Sequence, residues 1–240
     1  MTWDLSVLAA ALQGPLVWMP CTLAVYAAST SIQRRCGNAA ILNPTLLTIG
    51  AIGSLLVASG TPYEVYLKGV DFLNYVLGTA VVALALPLHR HAHLLRGRFF
   101  ALAMALVVGS IASLGLVLAV AGSLGASTST LLSIASKSAT AAVSIETSRA
   151  VGGLPGLTAT LTISTGIIGA VLGPYVLDWL GVRDPEARGL ALGVAAHGIG
   201  TARAFSECAV SGSFASVGTA LNAPLTAMLV PLAVWALGLR

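Results

Sequence analysis

The chain has 240 residues, of which 57% are hydrophobic and 8% charged, with 12 Lys+Arg against 8 Asp+Glu and a net charge of +4. An ordinary globular domain is about a quarter charged, so this composition excludes a soluble domain. Charge-free runs cover residues 5–33, 36–63, 72–89, 99–136, 150–177 and 208–239, and about 20 apolar residues suffice for a helix to cross the hydrocarbon.

The expected fold is therefore all-α: a polytopic transmembrane helical bundle. Residues 99–108 are apolar at every position, which excludes a β-barrel, whose strands of about 10 residues alternate apolar and polar. The positive charge needs no nucleic acid. Arg34 and Arg35 fill one loop, and Arg90, Arg96 and Arg98 fill the loop two spans later. Short cytoplasmic loops are enriched in Lys and Arg, so both are expected to be cytoplasmic. The near-neutral loop between them, with Pro62, Tyr63, Glu64, Tyr66 and Lys68, then faces outward and places the N-terminus outside. Trp3, Tyr63, Tyr66, Trp179 and Trp235 fall near span ends, as an interfacial aromatic belt requires. Cys21, Cys36 and Cys208 include no close pair and read as ordinary thiols. The first apolar run is too long for a signal h-region of 7 to 15 residues and lacks a basic n-region, so it is expected to stay in the mature protein.

Charges and Gly/Pro punctuation give eight segments, roughly 5–30, 41–60, 70–88, 99–121, 128–150, 155–180, 189–208 and 212–238. Asn43-Pro44 suits the start of the second, with Asn as cap and Pro at the first helical position. Three segments are not plain lipid-facing helices. The third holds Gly78-Thr79-Ala80 and Leu86-Pro87, the fifth Ser136-Lys137-Ser138, and the seventh His197-Gly198-Ile199-Gly200-Thr201 with Arg203 close behind. The third and seventh share Gly-Thr-Ala about half a chain apart, which suggests repeat halves 1–122 and 123–240 within a single integral membrane domain, 1–240. Glycine-interrupted segments in corresponding halves point to a transporter's midplane site. Four full spans per half would make parallel repeats, and an inverted pair would need a re-entrant segment in each half.

Ser133, Ser136, Lys137, Thr140, Ser144, Thr147 and Ser148 recur with helical periodicity. Such a stripe faces a water-filled cavity or bonds to neighbouring helices. An ammonium within a span is costly and marks a functional or paired site, which singles out Lys137. Glu146 would lie on the opposite face of a straight helix from Lys137; it reads either as a local pair with Arg149 or as a proton carrier. The charge-free stretch of 189–202 is too short to span, so Arg203 enters or borders the membrane. Arg203 can grip a carboxylate bidentately or pair with Glu207 at i,i+4. His197 reads as a site residue or as a core histidine bonded to a carbonyl. His89, His91 and His93 beside Arg90 read as a basic loop rather than a metal site. Gly166, Gly169 and Gly173-Pro174 read as close-packing positions. No nucleophile-base pair, phosphate-binding loop or metalloprotease signature is present, so an enzyme is not expected, nor any metal or cofactor.

Lys137-Ser138 with Thr140 and Glu146, Gly152-Gly153-x-Pro155, Gly169-Ala170, Gly173-Pro174, Ala187-Arg188-Gly189-Leu190-Ala191-x-Gly193, His197-x-Ile199-Gly200-Thr201-x-Arg203-Ala204 and Gly212-x-Phe214-x-Ser216 resemble the signature of the LrgB/CidB family. Asn43-Pro44 and Ala85-Leu86-Pro87-Leu88 resemble its N-terminal half. Two departures stand out: Ala141-Ala142 where many relatives have a proline, and Asn222-Ala223-Pro224 where many have a glycine-rich turn. The resemblance implies a bacterial inner-membrane protein, antiholin-like and modulating murein hydrolases and autolysis, paired with a smaller LrgA/CidA-type membrane protein. It also implies likeness to the plastid glycolate/glycerate translocator and to bacterial proteins linked to pyruvate and related monocarboxylates.

The expectation that unites these is a carrier, monomeric or homo-oligomeric in the lipid bilayer, for a small organic anion of the glycolate, glycerate, pyruvate and lactate class. Arg203 or Lys137 would supply countercharge, and Asn43, Thr79, Ser138, Thr140 and Thr201 hydrogen bonds. Breaks at Gly78 and Gly200 would expose amides to the anion, and His197 or Glu146 would carry a coupling proton. The rival is a non-transporting, antiholin-like regulator of murein hydrolase export.

Overall fold

The computed structural model describes residues 15–83, 89 and 99–239, and these residues are helices joined by short turns, with no strand among them. Contacts divide the chain into two units, 1–83 and 84–240. Trp3, the Leu86-Pro87 pair, Arg90, His91, His93, Arg96 and Arg98 lie outside the described residues.

In the first unit, α1 spans Trp18–Arg35, α2 Pro44–Ser59 and α3 Tyr63–Ala83. Asn43 caps α2 as its sequence predicts: Oδ1 accepts from the amides of Thr45 at 2.9 Å and Leu46 at 3.3 Å. Gly60 ends α2 at φ 63°, the left-handed C-terminal position that glycine fills without strain. The Trp18 ring meets Tyr66 edge-on with centroids 5.6 Å apart, joining α1 to α3. Thr48 on α2 lies 3.4 Å from the Ser29 hydroxyl on α1. α3 starts seven residues before the expected third segment, its exposed first turns accommodating Glu64 and Lys68. It then runs unbroken through Gly78 to Ala83; one glycine costs a helix only about 1 kcal/mol, too little to break it.

The second unit holds α4 (Phe99–Ser123), α5 (Thr128–Ile134), α6 (Ala141–Val151), α7 (Pro155–Trp179), α8 (Pro185–Glu207) and α9 (Ala209–Ala236). α4, α7 and α9 are long and apolar enough to cross a membrane. The fifth segment is not one helix. Ser136 Oγ donates to the Ser144 carbonyl at 3.0 Å, and Ser144 returns a bond to the Ser136 carbonyl. Further down, the Leu154 amide donates to Ser133 Oγ at 2.8 Å. Contacts between residues 8 and 21 positions apart require α5 and α6 to run antiparallel, closed by the unwound turn 135–140. The polar stripe of the sequence is thus the inner seam of a helical hairpin, with Lys137 in its tip.

α8 folds in the same way. Its backbone breaks at His197, with φ 41° and ψ −132°, and the Arg188 guanidinium near its start bonds Glu207 at its end, Nε to Oε2, 3.2 Å. Arms 185–196 and 198–207 therefore lie side by side. At about 1.5 Å per residue they are roughly 18 and 15 Å long, half the hydrocarbon thickness. Gly200 is what lets the arms touch: a Cβ there would collide with the Leu192 carbonyl and Ala196. Gly189 and Gly193 bring the first arm against the carbonyls of Ser211 and Ala215 on α9.

Chain order sets out this unit. The long apolar helix α4 is followed by the α5–α6 hairpin, α7 by the α8 hairpin, and α9 comes after both. A long apolar helix followed by a hairpin thus occurs twice, and the break in α8 falls at His197, three residues before Gly200.

Candidate functional site

The two hairpins point their tips toward one another. Asn222 of α9 donates from Nδ2 to the Ser138 carbonyl in the first tip at 2.8 Å and to the Val194 carbonyl beside the second at 3.3 Å. His197 lies within electrostatic reach of the Lys137 ammonium.

In the first tip, Lys137 is partly buried, and among the described residues no carboxylate or carbonyl pairs with it. Thr140 holds the N-cap position of α6 but makes no capping bond, and its buried Oγ1 has no hydrogen-bond partner. The first amides of α6 are left open at the positive end of its dipole. Ser138 is differently placed: its hydroxyl pairs with Ser113 of α4 at 2.8 Å, so it ties the tip to a span.

In the second tip, His197 is buried and its Nε2 lies 3.0 Å from the Thr162 carbonyl of α7. That bond assigns the proton to Nε2 and leaves Nδ1 as the acceptor. The ring fits because residue 166 is glycine; a Cβ there would lie 2.5 Å from Cε1. A non-glycine residue at positive φ stores strain of about 1–3 kcal/mol, and such residues cluster at functional sites. Thr201 donates to the His197 carbonyl at 2.9 Å and meets Thr219 Oγ1 at 2.7 Å, so its hydroxyl braces the tip against α9.

Arg203 stands away from the tip, at the base of the hairpin. Its Nη2 lies 3.7 Å from Glu207, which also receives Arg188, and Arg188 reaches Asp178 at the end of α7 at 2.6 Å. Glu146 chelates Arg149 at 2.6 and 2.8 Å, with both side chains exposed. In the first unit, the Asn43 carboxamide oxygen is engaged in capping and Thr79 donates to the Val76 carbonyl at 2.7 Å. Lys137, Thr140 and His197 with the start of the second arm are thus brought together, whereas Ser138, Thr201 and Arg203 serve bonds within the fold.

Asn222 and Thr162 were not singled out as site residues by the sequence. Thr162 is fully buried with Oγ1 unpartnered, in a helix whose threonines look alike in sequence. Asn222 did leave a signal, as the lone carboxamide in the apolar run 208–239. No group of three His, Cys, Asp or Glu among the described residues could hold a metal ion. His89 is exposed.

The profile of the LrgB-like family matches residues 22–236. The "Holin-like protein CidB" of Staphylococcus epidermidis is 34% identical over 213 residues, covering 89% of this chain and 93% of that protein. The protein of the same name from Staphylococcus aureus is 31% identical over the same shares. The "Uncharacterized protein YxaC" of Bacillus subtilis is 34% identical over 214 residues, again 89% and 93% of the two chains. No solved structure matches.

Proposed function

This chain belongs to the LrgB-like family of membrane proteins, and we propose that it carries a small organic anion across the bacterial membrane. The observation that carries this reading is the Lys137 ammonium, with no carboxylate or carbonyl partner among the described residues, beside the uncapped start of α6 where two hairpin tips meet. A regulator or scaffold has no use for an unpaired cation at that depth, where charges mark substrate or ion pathways. Broken helices aiming their amide ends inward are the device by which transporters hold anionic groups. Hairpins that enter from opposite faces supply two gates to one site.

The binding set in this reading is Lys137, Thr140, the first amides of α6 and the start of the second arm at Gly198. One positive charge suits a monoanion, and the confined space between tips suits a small one. The glycolate, glycerate, pyruvate and lactate class is therefore the set to test. His197 Nδ1, free to accept a proton, is the coupling group. Arg203 maintains the hairpin base, and a smaller membrane protein of the LrgA/CidA type is the partner to include.

A second reading is favoured by the names of the relatives. Relatives from two staphylococci carry the name "Holin-like protein CidB", and that name speaks for the holin-like regulator more directly than for any particular substrate. Uptake of labelled glycolate, pyruvate and lactate into proteoliposomes, with and without the partner and across an imposed pH gradient, separates the two. Saturable uptake that is lost in His197→Ala is expected. No uptake under any of these conditions would transfer the assignment to the holin-like regulator.

A further inference from the structure

Asn222 is 1% exposed and sits near the middle of α9, yet every polar atom of its amide is engaged. Nδ2 has two hydrogens, and the two carbonyls it meets belong to different hairpins, Ser138 at 2.8 Å and Val194 at 3.3 Å. Both are carbonyls that broken helices leave open. Ser138 lies in the unwound tip turn, and the residue four positions after Val194, its normal helical partner, lies beyond the break at His197. Oδ1 accepts from Ser110 Oγ of α4 at 2.6 Å. The reversed amide would set Oδ1 against two carbonyls, so the surrounding bonds fix its orientation.

We propose that Asn222 is a positioning residue that holds the two oppositely entering hairpins tip to tip, and that the described arrangement, with both tips bonded to one amide, is the occluded state of the carrier. The proposal rests on the carrier reading for its purpose. A gate that opens toward either face must break one of the two Nδ2 bonds, and the other bond keeps the opposite gate closed. One side chain thereby enforces the rule that only one hairpin parts at a time. Ser110 orients the amide, and the Ser113–Ser138 bond adds a second tie to the first tip alone.

The substitution that isolates this role is Asn222→Asp, which preserves shape and turns the donor into an acceptor facing two carbonyls. Amide hydrogen exchange of the protein in lipid nanodiscs reads the consequence without needing any substrate. Exchange should rise about tenfold at both tips, 135–143 and 194–201, with the α7 span unchanged. Ser110→Ala, which keeps both donor bonds but releases the amide's orientation, should produce the same pattern to a smaller extent. Unchanged exchange at the tips, a rise at one tip alone, or a rise shared equally by α7 would overturn the proposal. Because exchange is independent of uptake, the carrier reading can fail while this result stands, and the reverse.

Discussion

The two hairpins are alike in length and opposite in direction, but they are closed by different chemistry. The first ends in a six-residue unwound turn stitched by serine hydroxyls, with the ammonium of Lys137 in it. The second ends in a single strained residue, His197, wedged beside Gly166, and its base is tied by Arg188, Asp178 and Glu207. A loose polar tip can rearrange around a ligand, while a tip with one permitted backbone shape can only swing as a body. In the proposed carrier, the contrast gives the first tip the part that adapts to the anion and the second the part that moves as a body.

The comparison breaks most severely at Lys137. Lys137→Gln should lower saturable uptake about 10- to 100-fold, the effect of losing a hydrogen bond to a charged group, with unchanged protein in the membrane. Normal uptake would remove recognition from the first tip. Next comes Gly166→Ala, whose methyl meets the His197 ring. It should destabilise the protein by about 1–3 kcal/mol, as overpacking does, seen as a lower melting temperature in detergent, whereas Gly156→Ala, with open space around its Cβ position, should leave melting unaltered. Arg188→Ala should cost about 1–2 kcal/mol, since Arg188 is only partly exposed and Glu207 retains Arg203; proteolysis within 180–184 should accelerate, and equal rates would show the base to be held by packing alone. Glu146→Gln should shift stability by less than about 0.5 kcal/mol, because the pair with Arg149 is exposed. Loss of pH-driven uptake in that variant would instead make Glu146 the proton carrier.

Much of the fold was legible in the sequence because membranes impose a coarse rule: charges and Gly/Pro punctuation bounded the three long apolar helices, and the two segments that fold into hairpins, to within a few residues. The interruptions at Lys137 and His197 were legible too, as polar residues within apolar runs. What the pattern could not reveal is that the stripe is folded over, with Ser133 in one arm, Ser136 in the turn, and Ser144 and Ser148 in the other arm. Residues that face each other across a hairpin keep the 3.6-residue spacing of the helices they sit on, and only contacts between arms distinguish the cases. The same limit explains Gly78 and Gly200, which share a triplet and a helical backbone but not a role. Gly78 lies in a continuous helix, while Gly200 serves close approach near a break set by its neighbour His197. Asn222 stood out only as a departure from the family pattern and not as a site residue, because its importance comes from two partners 84 and 28 residues away, a distance that no local pattern encodes.

The order of the elements has a consequence for biosynthesis. The arms of both hairpins are about half the length of a span, and their tip carbonyls have to wait for a donor. That donor, Asn222, and the Thr219 hydroxyl that bonds the Gly193 carbonyl at 3.1 Å, are translated after both hairpins. A nascent chain stopped before α9 therefore presents two unsatisfied hairpins to the membrane's quality-control proteases.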